Sequence, residues 1–201
     1  MFRRRVPLRL AARLRNHLWP AMGPRRAVKY MWYRLRRIPD SPSAIAAGFA
    51  GGVAMAISPL IGTHMVLALG LAWLIRANYV AAIVGTWVIN PWTAPPVWFA
   101  TYYVGRMMEG LPVLGRANAP SFIKMFKGLT EAALRLDLNL FGRDVWPVLK
   151  PMILGSIPIG LASALVIYAV LKPILSTLQA RRIALRIAAA GRRAYDAAKT
   201  S

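Results

Sequence analysis

The chain has 201 residues, of which 57% are hydrophobic and only 16% charged. An ordinary soluble domain carries about 25% charged residues, so too few are present to coat a water-soluble globule. The charges are also one-sided, 27 Lys and Arg against 6 Asp and Glu for a net +21, and no cysteine supplies a disulfide or thiolate. A soluble nucleic-acid binder could be as basic, but not as apolar. Apolar residues facing lipid and basic residues facing phosphate headgroups reconcile the two numbers. The expected fold class is therefore all-α: a polytopic helical membrane protein with Pro/Gly-broken, re-entrant helices and basic amphipathic flanking helices.

Residues 1–40 hold twelve basic residues and one acid, Asp40, and read as a cytoplasmic or interfacial arm. The opening Met1-Phe2-Arg3-Arg4-Arg5 resembles a signal-peptide n-region, and the acid-free run of arginines resembles a transit peptide. No apolar h-region follows, and a retained arm is the simpler reading. Pro24 suits a first helical position, and Val28, Met31, Trp32, Leu35 and Ile38 recur at helical spacing. Arg25, Arg26, Lys29, Arg36 and Arg37 are left for the polar side, as in a helix lying among anionic headgroups.

Residues 41–105 form the expected membrane core. Its first charge-free zone, between Asp40 and Arg76, has 35 residues, about 52 Å as one helix and more than a crossing needs. Ser58-Pro59-Leu60-Ile61-Gly62-Thr63 breaks it, because proline removes a backbone donor and glycine loosens the turn. Two short helices follow, Ala44–Ile57 and Thr63–Ile75, each too short to span comfortably: a re-entrant hairpin. The second zone, 29 residues between Arg76 and Arg106, is broken at Asn90-Pro91 with Pro95-Pro96 close behind, predicting helices over Tyr79–Ile89 and Trp92–Gly105.

Residues 106–150 carry four of the acids and an amphipathic stretch over Ser121–Leu140, with Phe122, Met125, Phe126, Leu129, Ala133 and Leu136 on one stripe. The third zone, 21 charge-free residues from Pro151 to Leu171, is about 32 Å long and suits one crossing, placing a transmembrane helix over 151–175. Residues 176–201 read as a basic cytoplasmic tail, with a cationic helix over Ser176–Lys199 that leaves the membrane. Basic residues favour the cytoplasmic side, so both ends belong there, with a re-entrant dip through 41–75, a crossing through 77–105, an outside stretch over 106–150 and a return crossing. The alternative, a second hairpin through 77–105, moves 106–150 inside and the C-terminus outside, and the charge count disfavours it.

All six acids lie outside the apolar zones, leaving no intramembrane carboxylate as a relay or cation ligand. No HExxH, GxSxG or phosphate-binding GK[ST] loop is present, so no enzyme, metal or cofactor is expected. The candidate substrate-binding residues are the polar groups at the breaks, Ser58, Thr63, His64, Thr86, Asn90 and Thr93, together with Arg76 and Arg106 at the zone ends. Pro59, Gly62 and Pro91 are the breaks themselves. Helix starts expose amide donors and a positive dipole end, and paired broken helices point to a binding site within the membrane. The plainer reading is that Thr and Asn satisfy broken backbone, that His64 hydrogen-bonds a carbonyl, and that Gly48-x-x-x-Gly52 is a helix contact.

Pro42-Ser43-Ala44-Ile45-Ala46-Ala47-Gly48-Phe49-Ala50-Gly51-Gly52, Ser58-Pro59-Leu60-Ile61-Gly62-Thr63-His64, Arg76-Ala77-Asn78 and Gly85-Thr86-Trp87-Val88-Ile89-Asn90-Pro91-Trp92-Thr93 together resemble the bacterial membrane-protein family known as domain of unknown function 2062, over residues 25–175. The resemblance implies a helical protein of the bacterial inner membrane. Some relatives resemble fusions to glycosyltransferase domains, which implies lipid-phosphate intermediates such as polyprenyl-linked sugars. The leading expectation is a small transporter or lipid-handling protein that accepts a phospholipid or polyprenyl-phosphate headgroup at its broken helices. The alternative is a non-transporting anchor or assembly subunit acting through its basic termini. Expected partners are anionic lipids, a lipid-phosphate substrate and a second copy of the chain; nucleic acid is disfavoured, since no base-reading module is present.

Overall fold

A computed structural model of the chain describes residues 24–60, 62–112, 122–135 and 137–200, and among these all regular structure is helical. The arginine-rich arm through Arg15, with Ile61, Ser121 and Leu136, lies outside the described residues. Residues 1–37 and 38–201 form two separate units. The described part of the first is helix α1, Pro24–Arg37, which stops before Pro39 because a residue preceding proline is pushed out of the helical region. Ile38, expected on its apolar stripe, is therefore beyond it. Arg26, Lys29 and Arg37 are exposed. Lys29, Arg34 and Arg36 lie 5.8, 5.5 and 5.9 Å from the rings of Tyr33, Tyr30 and Trp32, so cation and aromatic share the boundary positions.

The second unit is built on α2 (Pro42–Ile57) and α8 (Trp146–Thr200). Ser41 caps α2, its Oγ accepting the Ala44 amide at 3.2 Å, and Pro42 fills the first turn, where the missing N–H costs nothing. After the first break α3 (His64–Leu74) returns antiparallel, and α4 (Tyr79–Thr86) runs beside α2, capped by Asn78. Asn78 fixes the common base: its amide donates to the Ala44 carbonyl at 3.0 Å and its Nδ2 to Asp40 Oδ2 at 2.8 Å. Gln179 of α8 donates to the Asp40 carbonyl at 2.8 Å, so the start of α2, the start of α4 and the middle of α8 share one level.

The α2–α4 contact is backbone on backbone. A Cβ at Gly48 would collide with the Asn78 carbonyl, one at Gly52 with the Ala82 carbonyl, and one at Gly85 with the Phe49 carbonyl. The expected Gly48–Gly52 motif is thus a helix contact, and α4 is its partner. After the second break α5 (Ala94–Met108) continues away from the base and meets α8 at a second such crossing, Gly105 against the Pro151 carbonyl and Gly155 against the Thr101 carbonyl. Beyond it α6 (Phe122–Arg135) lays Met125 into a buried cluster with Tyr102, Val145 and Met152. A short turn, α7 (Leu138–Leu140), and one π-helical turn, Phe141–Val145, lead into α8. Asp144 sits there 3.4 Å from both Lys124 and Arg143. Burial raises its pKa, but the two cations lower it further, and the net shift is downward.

Several expected boundaries moved, α5 running over Ala94–Met108 rather than Trp92–Gly105. α4 ends at Thr86 rather than Ile89, because the turn around Asn90 begins early. The stripe over Ser121–Leu140 ends at Arg135, where Asp137 caps a new turn by accepting the Asn139 and Leu140 amides. The expected 151–175 crossing and the tail helix from Ser176 run on as one helix, Trp146–Thr200, of 55 residues, with Pro151, Pro158 and Pro173 inside it. α8 is the one described helix long and apolar enough to cross a membrane, and only 17% of its most apolar stretch is buried.

Candidate functional site

Contacts along α8 give the height of each break. Ala54 packs on Gly160 and Thr101 on Gly155, so the last turns of α2 and the middle of α5 meet α8 at those glycines. That level is about 20 Å along α8 from Lys172 and about 10 Å from Lys150 at the helical rise. Both breaks therefore fall within the apolar stretch of α8, nearer its Lys150 end.

Local hydrogen bonds explain why each break is a stable turn. At the first, Ser58 Oγ donates to the Met55 carbonyl at 2.8 Å, ending α2, and Pro59 is buried. Gly62 takes φ +88°, a value that glycine alone adopts without strain. Thr63 Oγ1 then donates to the Leu60 carbonyl at 3.1 Å, and the Thr63 and His64 amides donate to the same oxygen. At the second, Asn90 Oδ1 accepts the Trp92 and Thr93 amides at 3.0 and 3.2 Å, while Thr93 Oγ1 accepts the Asn90 amide and donates to the Val88 carbonyl. Buried Thr86 donates to the Ile83 carbonyl at 2.7 Å.

The two turns face a common cavity of about 380 Å³, whose polar lining comes from Ser58, His64 and Asn90 and whose walls include Pro91, Pro95 and Trp98. Thr63, Thr86 and Thr93 satisfy the turns but do not line it. α5 brings no free amide to the cavity. Ala94 N and Val97 N are bonded to the Asn90 and Thr93 carbonyls, and Pro95 and Pro96 have no N–H. A helix start with those donors occupied is a weak anion cradle, and His64 is the single titratable side chain in the lining.

The arginines are elsewhere. Arg106 is half-buried, its Nε donating to the Pro112 carbonyl at 3.0 Å and its Nη1 to the Tyr102 hydroxyl at 3.2 Å. Arg76 is exposed at the base, over a hollow with Trp73 and Tyr79. Spacing along the chain carried no information on this, because Arg76 ends the returning arm of the hairpin and so lies a full helix length from its tip.

Sequence reasoning missed a second cavity, a groove of about 470 Å³ between α3 and α8 with α2 as its floor. Ala47, Ala50, Gly51 and Ala54 make the floor, and Ser58 stands at its end as well as in the first cavity. The signal available was the run of small residues on α2, which names a close approach without naming what approaches. Lys172 and Tyr168, at the groove's other end, had no motif to mark them.

A family model described as "Uncharacterized protein conserved in bacteria (DUF2062)" matches residues 25–184. The chain belongs to this family. No curated protein and no solved structure matches it. The DUF2062 region takes in both breaks, the cavity and groove, and closes within α8 past Gln179; the first 24 residues and the last turns of α8 lie outside it.

Proposed function

We propose that this DUF2062 protein is a multi-pass protein of the bacterial inner membrane that handles a lipid or small solute, with the substrate's polar group in the cavity between the breaks. The observation that carries the reading is the convergence of Ser58, His64 and Asn90 on one cavity inside the apolar stretch of α8. Irregular backbone at such depth is tolerated where it lines a cavity or is buried in protein, and paired broken helices are how membrane transporters build substrate sites. The exposed surface supports a lipid setting. Val66, Trp73 and Leu74 on α3 are 70%, 71% and 71% exposed, and Ile157, Leu161, Leu165 and Val166 on α8 are exposed too. So many large apolar side chains exposed on two helices are unusual for a water-soluble monomer. In this reading the chain crosses twice, through α4–α5 and through α8, with a re-entrant α2–α3 hairpin, and the basic termini favour the cytoplasmic side for both ends.

Proteoliposomes test it with a headgroup-labelled fluorescent phospholipid quenched from outside. The protein should speed exchange of label between leaflets, and His64→Leu and Ser58→Ala should each slow it about tenfold, the cost of one hydrogen-bonding contact, with insertion and thermal stability retained. Exchange no faster than in empty vesicles, or unchanged in both variants, overturns the reading. If deletion of residues 1–23 abolishes function in cells while both cavity variants are silent, the chain is an anchor working through its basic arm.

A further inference from the structure

α3 and α8 both pack on α2 but diverge from one another, and the slot left between them is lined almost wholly by apolar atoms. It runs from Ser58 and Ser156 down to Ile75 and Tyr168. Measured on α8, residues 156 to 168 cover about 18 Å at the helical rise. One leaflet of hydrocarbon is about 15 Å deep, so the slot is about as long as one leaflet is thick, and its lower end points to the base side.

Two cations stand next to residues that line the slot's lower end. Lys172 Nζ stands 5.4 Å from the ring centroid of Tyr168, which lines the slot. Arg76 follows Ile75, another lining residue, and is exposed. Among the described residues neither cation has a carboxylate within ion-pair distance; the ion pairs found are Lys124 and Arg143 with Asp144, and Lys150 with Glu109.

Arg76 also holds an unusual backbone position. It has φ +53°, and its amide donates to the Trp73 carbonyl while that of Ala77 donates to the Ala72 carbonyl. This is the two-bond helix ending whose left-handed residue is normally glycine. α5 ends the same way, with Gly110 at φ +68° and the Gly110 and Leu111 amides on the Met107 and Arg106 carbonyls. The same motif carries glycine where only geometry matters and arginine at the mouth of the slot. Strain kept at a surface position points to a role for the side chain.

We propose that the slot between α3 and α8 binds one chain of an anionic phospholipid from the base-side leaflet, with the lipid phosphate at the α3 end between Lys172 and Arg76. This site is distinct from the cavity between the breaks, and the proposal rests on the membrane reading above. Charged hydrogen bonds to phosphate supply the headgroup preference; the small-residue floor supplies the chain's place.

The test uses the full chain in vesicles containing phosphatidylglycerol or phosphatidylcholine with the same diazirine-bearing acyl chain, followed by mapping of the labelled peptides. The phosphatidylglycerol probe should label the α2 floor and the 156–168 face of α8, about tenfold above phosphatidylcholine. Arg76→Gly, which relaxes the backbone, and Lys172→Gln should each remove most of that preference. Ala164→Phe, which fills the slot from α8, should abolish slot labelling. Equal labelling by both lipids, or a preference unchanged in Arg76→Gly and Lys172→Gln, overturns the headgroup assignment. Slot labelling absent in the wild-type chain, with Ala164→Cys forming a disulfide-linked dimer, assigns the slot to a second copy and overturns the proposal. Failure of the chain to stay with the membrane after carbonate extraction defeats the membrane reading as well, whereas a chain that inserts but leaves the slot unlabelled defeats this proposal alone.

Discussion

Gly155→Leu is expected to prevent assembly of α5 on α8, measured as loss of the cooperative unfolding transition in detergent. A Cβ at position 155 has nowhere to go, since it meets the Thr101 carbonyl and the Gly105 amide, both backbone. A flexible neighbour could turn aside; a helix backbone moves only as a whole. Overpacking in a core costs roughly 1–3 kcal/mol when side chains give way, and here the upper end of that range or beyond is expected. Gly105→Leu should match it, because it pushes on the Pro151 carbonyl across the same crossing. Gly191, with open space around the Cβ position, is the control: Gly191→Ala should be neutral or slightly stabilising in a helix interior. A Gly155→Leu protein as stable as the wild type would mean that the crossing is not as close as described.

Met125→Ala should cost about 3 kcal/mol, within the range for truncating a buried methionine. Its effect should be local. Met125 is 2% exposed and holds α6 to Tyr102, Val145 and Met152, while the α2–α4 interlock shares none of those residues. Hydrogen exchange should therefore accelerate through Phe122–Arg135 and stay slow in α2 and α4. Acceleration across the whole chain would show that the α6 cluster and the helical core unfold as one unit.

The breaks were legible in the sequence because proline, glycine and asparagine act on their own backbone. Pro59 and Gly62 end one helix and begin another whatever packs around them, and Asn90 folds its turn with its own side chain. The pairing of the breaks around one cavity was legible to the extent that a hairpin brings its tip to the neighbouring break. The place of the charges was not. Arg76 lies near the breaks in the sequence, yet the return of α3 carries it to the base, just ahead of the Asn78 cap of α4. The close-packed glycines were visible as a pattern, but the identity of the partner is a tertiary fact: Gly52 meets Ala82, and Gly155 meets Thr101. The continuous α8 was missed for the opposite reason. Lys172 was read as a boundary of the apolar zone, whereas a charge at the edge of a helix does not stop it when no residue disfavours the next turn.

Because the chain contains no cysteine, single-cysteine labelling has no background, and it tests the membrane placement most directly. Leu138→Cys, at an exposed position beyond α6, and Ala189→Cys, on the exposed extension of α8, would be reacted with a membrane-impermeant maleimide in intact spheroplasts and in inverted vesicles. Position 138 should react only in spheroplasts and position 189 only in inverted vesicles, as one crossing of α8 between them requires. Reaction of both from the same side would contradict the arrangement.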